Sequence, residues 1–314
     1  MTRMRRHFWH PKYWGIWIGF GLLRALSFLP FSQRLAVGAW LGGWLYYLAP
    51  RRRKLAAANL ALALPELSDA QRQTLNRQHF QNLGRGLAET ATNIWGIHRH
   101  HPQTHPKHEY HRFHYQGLAH LQHQPEQGKL LVVPHFTTLE ATGLMLSQIT
   151  PLAAIYRPHD NPLMEALITS SRTNPKPDTT HPAFGHAVEP IANTHTRQII
   201  KRLRQGQNVM ILPDQRYRGK GRIQAPFFGH DALSHPGLLK LAQLGKAAVL
   251  PVFTYREQGQ YFCEIQPPLT DFPSKDPQAD ILRLHQRYEQ AIRAHPAQYL
   301  WTHNRWNLKR PRDY

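Results

Sequence analysis

The sequence predicts an α/β fold: a mostly parallel central sheet flanked by helices, with an N-terminal hydrophobic membrane-anchor helix. From residue 129 onwards, short apolar runs typical of buried strands alternate with segments of helical periodicity. This alternation favours parallel strands joined by helices. The first 50 residues differ, because they are apolar and rich in tryptophan and tyrosine. We therefore divide the chain into residues 1–50, an N-terminal membrane anchor or set of interfacial helices, and residues 51–314, the main domain.

The N-terminal region contains two apolar runs, residues 13–30 and 35–50, and Arg24 interrupts the first. A signal peptide would share the basic start and apolar middle, but no convincing small-residue cleavage site is present. A buried hairpin would not need so many aromatic residues near its ends. Aromatic belts and flanking arginines favour a membrane anchor, which either spans once or lies partly in the interface. The basic cluster at residues 51–54 would then keep the main domain on the cytoplasmic side.

Two segments precede the predicted sheet. Residues 65–97 form a helical lead-in, which Ser68 and Gln71 open as a capping box. Residues 98–123 are rich in histidine, a composition that also occurs in metal sites. No cysteine accompanies these histidines, and two prolines break any regular face. The pattern therefore indicates a solvated loop, and we assign no metal.

The remaining elements alternate along the chain. Asn161 and Thr194 are predicted to cap two helices, and residues 170–190 are predicted to form a polar loop over the site. Strands are predicted at residues 130–134, 152–156, 209–212, 247–253 and 261–267. The clearest helical patterns lie at residues 138–148, 162–168, 238–245 and 281–292.

Residues 129–140 are the most informative stretch. A buried strand is followed by His135, and a helix begins two or three positions later. Open α/β sheets bind ligands at this carboxyl edge. Glu140 can reach back to the imidazole and hold His135 neutral and oriented, so that the ring takes a proton from a hydroxyl. A single histidine near a carboxylate is more often a surface hydrogen bond, so the prediction depends on the strand-then-helix setting.

Two further predicted strands end in polar residues, and parallel strands bring such ends to one cleft. Arg157 would bind an acceptor phosphate or a developing oxyanion, or would instead form a structural ion pair with Asp160 or Asp214. Asp214 would order Arg157 or the acceptor, or would cap a turn. Gln215 and Arg216 follow it, and the basic residues from Arg216 onwards either attract anionic head groups or form a solvated loop.

Composition narrows the class of partner. The chain has 39 Lys and Arg against 19 Asp and Glu, a formal charge of +20, which indicates nucleic acid, an anionic membrane or a phosphorylated substrate. No nucleic-acid module is visible, so we expect no nucleic-acid partner. The chain also lacks a Gly-x-Ser-x-Gly elbow and a Walker motif. The one cysteine, Cys263, excludes an intramolecular disulfide and is interpreted as a small strand residue.

Taken together, these residues resemble the late lipid A biosynthesis acyltransferases, within the wider superfamily of His-x4-Asp/Glu lysophospholipid and glycerolipid acyltransferases. The lauroyl and palmitoleoyl transferases look most similar. The family often has Asp-x-Asp-Tyr-Gly after the third strand, where this chain has Asp214-Gln-Arg-Tyr-Arg. The resemblance covers nearly the whole chain and rests on residues 53–68, 135–140 (HFTTLE), 156–163 (YRPHDNPL), 213–215 (PDQ), 250–253 (LPVF) and 298–303 (QYLWTH).

The resemblance implies a bacterial inner-membrane acyltransferase, single-pass or monotopic, with its catalytic domain, residues 51–314, on the cytoplasmic side. An acyl–acyl carrier protein would be the donor. The acceptor hydroxyl would lie on a hydroxyacyl chain of an anionic phosphorylated glycolipid, a Kdo-bearing lipid A precursor. His135 would be the general base and Glu140 its orienting partner, and no metal or dissociable cofactor is implied. The acceptor-site residues would be Arg157, Asp214, Gln215 and Arg216.

Two alternatives remain open from the sequence. One is a phospholipid or ornithine-lipid acyltransferase with the same His135/Glu140 site. The other is a non-enzymatic basic protein that tethers anionic lipids or nucleic acid at a membrane. Replacement of His135 by alanine distinguishes the enzymes from the tether, because only the enzymes would lose their function.

Overall fold

The computed structural model of the protein describes residues 6–91, 112–173 and 188–308. Its helices are α1 (Trp14–Leu26), α2 (Phe31–Leu48), α3 (Pro50–Ala63), α4 (Asp69–Ala91), α5 (Leu118–Gln122), α6 (Leu139–Ile149), α7 (Pro162–Thr173), α8 (Thr196–Arg204), α9 (Gly237–Gly245) and α10 (Pro277–Ala294). Its strands are β1 (Phe113–Gln116), β2 (Lys129–Val132), β3 (Leu152–Tyr156), β4 (Val188–Ala192), β5 (Asn208–Ile211), β6 (Ile223–Phe227), β7 (His230–Ser234), β8 (Ala248–Glu257) and β9 (Gln260–Ile265).

A seven-stranded sheet forms the centre of the molecule, in the order β1-β9-β8-β2-β5-β3-β4. Every neighbouring pair is parallel except β8 and β9, which are antiparallel. The predicted α/β fold with a mostly parallel sheet is confirmed. After β2 the chain continues to β3 on one side, whereas after β5 it continues to β8 on the other side of β2. The carboxyl ends of β2 and β5 therefore lie at a switch in strand order, where such sheets form a ligand crevice.

The β2 strand lies at the middle of the core because all four of its residues are buried. Leu130 and Val132 pack in one core cluster, whereas Leu131 lies in a second cluster with Met145 of α6. Burial of each such side chain contributes roughly 1.5–3 kcal/mol. A strand that is buried on both faces and followed directly by a site residue gives that residue a rigid support.

The N-terminal helices do not form the predicted spanning anchor. The α1 helix has 13 residues and α2 has 18. Residues 27–30, which join them, are not helical. Among the residues that the structure describes, no helix is both long and apolar enough to cross a membrane. The single-pass prediction is therefore not supported.

Close packing joins α2 to α4, the predicted helical lead-in. A Cβ atom added at Gly38 would lie 2.6 Å from the carbonyl oxygen of Gly84. This distance is a steric clash, so the two helices can approach this closely only with glycine at position 38. The capping box that opens α4 is confirmed: the Ser68 N–H donates to Gln71 Oε1 at 2.7 Å, and the Gln71 N–H donates to Ser68 Oγ at 3.3 Å. The end of the lead-in, residues 92–97, lies outside the described residues.

Several local predictions were wrong. Part of the predicted histidine-rich loop lies outside the described residues, but Phe113–Gln116 form β1, which pairs with β9, and α5 follows. The predicted loop at residues 170–190 includes the start of β4 at Val188. His195, and not Thr194, precedes α8, and it makes no side-chain cap bond. Asn161 was predicted correctly, because its side chain accepts from the main chain of Leu163 at 3.0 Å.

Cys263 occupies an inward position of β9 and has no exposed surface. Burial raises the pKa of its thiol to about 12, so the thiolate that a nucleophile needs is disfavoured. The interpretation of Cys263 as a small strand residue is confirmed.

Candidate active site

His135 and Asp214 lie at the carboxyl ends of the neighbouring strands β2 and β5. They share two hydrogen bonds. The His135 main-chain N–H donates to Asp214 Oδ2 at 2.9 Å, and the ring Nδ1 of His135 lies 2.5 Å from Asp214 Oδ1. The structure thus places a histidine–carboxylate pair in the crevice that the strand order creates.

Asp214 is ionised although only 2% of its surface is exposed. Burial by itself raises the pKa of a carboxyl group. Here the charge of His135 and its two hydrogen bonds together outweigh burial, so the pKa of Asp214 lies below its ordinary value. An ionised carboxylate can only accept hydrogen bonds, and His135 supplies one donor to each of its oxygens.

The contact with Asp214 fixes the tautomer of His135. Because an acceptor faces Nδ1, the neutral ring carries its proton there and keeps its lone pair on Nε2. The His135 side chain is 21% exposed, so the ring can be approached from outside the protein. A neutral imidazole that is oriented by a carboxylate is suited to take a proton from a hydroxyl.

The sequence named Glu140 as the carboxylate that orients His135, and the structure corrects this partner at Nδ1. Glu140 lies in the first turn of α6, and its charge acts on Glu89, whose pKa it raises. Asp214 takes the position at Nδ1 because β5 is hydrogen-bonded to β2. Any further part of Glu140 in the chemistry stays a prediction.

Arg157 lies farther from the pair than the sequence suggested. It follows β3, and β5 separates β3 from β2. Its guanidinium donates to the Asp160 carboxylate at 3.0 Å, and the two side chains are 75% and 87% exposed. The alternative of a structural ion pair with Asp160 is therefore what the structure shows.

Gln215 and Arg216 lie on the same loop as Asp214. Gln215 is exposed and Arg216 is half-buried. The Arg216 main-chain N–H donates to His303 Nε2 at 3.1 Å, and its guanidinium bonds the side chain of Asn307. The Asp214 loop is thus joined to the end of the chain.

Residues 298–305, which we call the C-terminal segment, were missed as part of the site. The Thr137 N–H donates to the carbonyl of Gln298 at 2.7 Å, and the Leu300 N–H donates to the carbonyl of His135 at 2.9 Å. The segment therefore runs along the loop that carries His135. It lies more than 150 residues away in sequence, and the sequence analysis used it only as part of a resemblance.

Asn59 of α3 holds this segment from behind. Its side-chain amide donates to the carbonyls of Trp301 and His303 at 2.6 and 2.7 Å, and only 1% of Asn59 is exposed. A buried asparagine in a helix needs such partners. A polar residue between the apolar positions Ala58 and Leu60 was the signal that could have identified it.

A second layer of buried polar groups lies beyond Asp214. The Arg305 guanidinium donates to the carbonyl of Leu233 at 2.6 Å, to Ser234 Oγ at 2.9 Å and to His285 Nε2 at 3.1 Å. Its charge helps to lower the pKa of Asp214. Burial, followed by the Arg305 charge, lowers the pKa of His285 to about 3, so this histidine is a neutral acceptor.

No three His, Cys, Asp or Glu side chains within residues 6–91, 112–173 and 188–308 form a group that could hold a metal ion.

The model of the family described as bacterial lipid A biosynthesis acyltransferase matches residues 1–308. The chain belongs to this family. A lipid A biosynthesis acyltransferase of Haemophilus influenzae is 31% identical over 299 residues, which cover 93% of this chain and 87% of that protein. The lipid A biosynthesis palmitoleoyltransferase of Escherichia coli is 30% identical over 313 residues, covering 98% and 95%. The lauroyltransferase of the same organism is 28% identical over 306 residues, covering 96% and 94%.

Family membership makes the protein an acyltransferase of lipid A biosynthesis. The predicted resemblance to the lipid A biosynthesis acyltransferases and the predicted enzyme class are confirmed. The non-enzymatic tether is set aside by the same finding.

Proposed function

We propose that this acyltransferase moves a fatty acyl chain from an acyl carrier protein thioester to a hydroxyl on a hydroxyacyl chain of a phosphorylated, Kdo-bearing lipid A precursor. The observation that carries the proposal is the His135–Asp214 pair, in which Asp214 occupies Nδ1 of the ring and leaves Nε2 to act as the base. Acyl transfer to a hydroxyl needs such a base, because an alcohol is a weak nucleophile until its proton is removed.

The reaction then proceeds in two balanced steps. The acceptor oxygen attacks the thioester carbonyl carbon while its proton moves to His135 Nε2, and the carbonyl electron pair moves to oxygen. When the carbonyl re-forms, the carbon–sulfur bond breaks and the leaving thiolate takes the proton from His135. The products are an ester and a free thiol. Asp214 stabilises the imidazolium that exists between the two steps.

The charge of the chain supports an anionic acceptor and an acidic donor protein. The formal charge is +20, and such a surface speeds association with phosphorylated and acidic partners. We place the acceptor phosphates near Gln215 and Arg216, which follow Asp214 on its loop. Arg157 would contribute to acceptor binding only if it released Asp160 and bound the anionic acceptor instead. Activity should fall as salt rises, because these contacts are screened.

We also propose that α1 and α2 lie in the membrane interface, with the catalytic domain on the cytoplasmic side. Monomeric soluble proteins rarely expose a large continuous apolar patch, and aromatic residues favour the level of the lipid head groups. The exposed apolar side chains on these two helices are Trp14, Ile18, Leu22, Trp40, Leu41, Trp44, Leu45, Tyr47 and Leu48.

The reaction can be tested with the purified full-length protein, acyl carrier proteins loaded with C10 to C16 chains, and a Kdo-bearing tetraacyl precursor. A mass gain of one acyl chain that vanishes in His135→Ala supports the proposal. The control is His230→Ala, which removes an exposed histidine on β7 and should retain activity. No gain from folded wild-type protein would contradict the lipid A acceptor, and glycerolipid and ornithine-lipid acceptors would then be tried.

Membrane binding can be tested separately by vesicle flotation. The double replacement of Trp40 and Trp44 by serine should weaken binding to vesicles that contain anionic phospholipid. Leu244→Ser is the matched control, because Leu244 is an exposed leucine on α9 and belongs to neither α1 nor α2. Equal binding by the double variant and the wild type would contradict the interfacial placement of α2.

A further inference from the structure

Acyl transfer needs a hydrogen-bond donor for the oxygen of the carbonyl under attack, because negative charge develops on that oxygen. The main chain at the start of the His135 loop does not offer one. The N–H groups of His135, Phe136 and Thr137 donate to Asp214, to the carbonyl of Pro134 and to the carbonyl of Gln298. A side chain near the pair is therefore the more suitable source.

His303 is such a side chain. His303 is half-buried and lies beside the pair, because its Nε2 accepts from the main-chain N–H of Arg216, two residues after Asp214. Leu300, three residues before it, donates its N–H to the carbonyl of His135. The main chain of His303 is fixed on two sides. The Asn59 amide donates to its carbonyl at 2.7 Å, and the Arg305 N–H donates to the same carbonyl at 2.9 Å.

The contacts of His303 define where its proton lies. Nε2 accepts from the Arg216 main-chain N–H at 3.1 Å, so a neutral ring carries its proton on Nδ1. Within the described part of the chain, this Nδ1 makes no hydrogen bond to another group. The ring therefore has one nitrogen anchored to the Asp214 loop and one N–H available to a ligand in the cleft.

The surroundings keep this ring neutral. Burial lowers the pKa of His303 below its ordinary value. The Asp214 carboxylate raises this pKa, whereas the guanidinium charges of Arg305 and Arg52, and the charge of His135 when that ring is protonated, lower it further. His303 is thus a neutral donor near neutral pH.

We propose that His303 is a further catalytic residue, whose Nδ1–H donates a hydrogen bond to the oxyanion that forms on the thioester carbonyl. This inference rests on the proposed acyl transfer. His303 forms no covalent bond and gives up no proton in the step: the carbonyl electron pair moves to oxygen, and the hydrogen bond from Nδ1 stabilises that charge until the thiolate leaves.

Steady-state kinetics of the full-length enzyme test the role. His303→Ala should lower kcat by about 10²–10³-fold, the usual loss for one oxyanion donor, with the KM values for donor and acceptor within threefold of the wild type. His303→Gln, whose amide can accept from Arg216 and also donate, should recover part of the loss. His235→Ala is the control, since this exposed ring likewise accepts a main-chain N–H, from Gly237 at 2.7 Å, and it should leave kcat unchanged.

An inhibitor pair separates catalysis from structure. An acyl trifluoromethyl ketone analogue of the donor mimics the tetrahedral oxyanion, whereas the matching thioether has no carbonyl. His303→Ala should weaken binding of the ketone by 10²-fold or more and leave binding of the thioether unchanged. If the alanine variant does not fold, the same comparison is made with His303→Gln, for which a smaller but selective loss is expected.

Three results would overturn the inference: unchanged kcat in His303→Ala, equal losses of ketone and thioether binding, or a rise in acceptor KM without a change in kcat. The last would assign His303 to acceptor binding. Failure of the proposed function is recognised separately, because wild-type protein would then show no acyl transfer at all.

Discussion

Asp214 and Glu89 are two buried carboxylates with opposite properties. Asp214 is 2% exposed and Glu89 is 3% exposed. Each is hydrogen-bonded to a basic side chain, His135 in the first case and Arg256 in the second. Nevertheless the pKa of Asp214 is lowered, whereas the pKa of Glu89 is raised. Burial is the largest cause acting on both and raises both pKa values, so the difference lies in the donors and in the neighbouring charges, Arg305 near Asp214 and Glu140 near Glu89.

The donors are distributed differently around the two groups. Asp214 has one His135 donor on each oxygen. Glu89 receives Arg256 Nε at 2.6 Å and the Tyr261 hydroxyl at 2.7 Å on the same oxygen, Oε1, whereas its Oε2 has no partner within the described part of the chain. A buried oxygen without a donor disfavours ionisation, and burial prevails at Glu89.

We expect this difference to separate a carboxylate that acts in the proposed reaction from one that acts in the fold. Asp214 faces the partly exposed ring of His135 and can respond when that ring gains a proton. Glu89 lies on α4 and joins this helix to β8 and β9 through Arg256 and Tyr261. Replacing members of the two sets should therefore affect activity in one case and stability in the other.

The largest expected effect is on catalysis. Asp214→Asn should lower kcat by about 10⁴-fold, because an amide does not stabilise the imidazolium and favours the wrong tautomer. The measurement is steady-state acyl transfer, with circular dichroism to confirm folding. Asp160→Asn alters an exposed carboxylate that pairs with Arg157 and should leave kcat within threefold. A similar kcat in the two variants would remove Asp214 from the mechanism.

The next effect is on stability. Arg256→Met should lower the free energy of unfolding by about 3–5 kcal/mol, because it leaves Glu89 buried without its cation. Arg293→Met breaks an ion pair with Glu66 whose side chains are 46% and 52% exposed, and it should cost at most about 1 kcal/mol. Urea denaturation of both variants provides the comparison. Equal losses would mean that burial does not distinguish the two pairs.

The pH dependence of stability tests the direction at Glu89. Its pKa is raised above the ordinary value of 4.5. The contribution of this shift to the free energy of unfolding is therefore complete below about that pH, and it is lost as pH rises through the higher pKa of the folded state. Each unit of upward shift corresponds to about 1.4 kcal/mol. Glu89→Gln imitates the protonated acid, so the unfolding free energy of the variant should lack this decline. Parallel curves for variant and wild type would show that Glu89 is ionised throughout.

Tyr288→Phe should have the smallest effect. Tyr288 is fully buried, and its hydroxyl has no hydrogen-bond partner within the described residues. Its removal should leave the free energy of unfolding unchanged or raise it by about 1 kcal/mol. Tyr261→Phe removes the hydroxyl that donates to Glu89 and should instead lower it by about 1–3 kcal/mol. A comparable loss in Tyr288→Phe would show that this hydroxyl also has a partner.

Local patterns explain why much of the fold could be predicted. Apolar runs defined the core strands, Ser68 and Gln71 defined the start of α4, and the position of His135 after a buried strand defined the catalytic loop. Each of these depends on residues within a few positions of each other. The β1 strand was missed because its residues, Phe113–Gln116, lie in a histidine-rich context and become a strand only through pairing with β9.

The contacts within the candidate site were predicted only in part, for one reason. Glu140 was chosen to orient His135 because it is five positions away, whereas Asp214 is 79 positions away. The sequence indicated that Asp214 and Arg157 follow strands of one sheet but gave no strand order. With β5 between β2 and β3, Asp214 reaches His135 and Arg157 does not.

The sequence alone determined the α/β class, the candidate base His135 and the family resemblance, because these depend on local periodicity and short motifs. Tertiary structure decided which carboxylate lies at Nδ1 of His135, and it brought the C-terminal segment and Asn59 to the His135 loop. Such contacts join residues more than 70 positions apart, and they follow from strand order and helix packing. Those are properties of the whole chain, since burial of the core fixes them and no single segment encodes them.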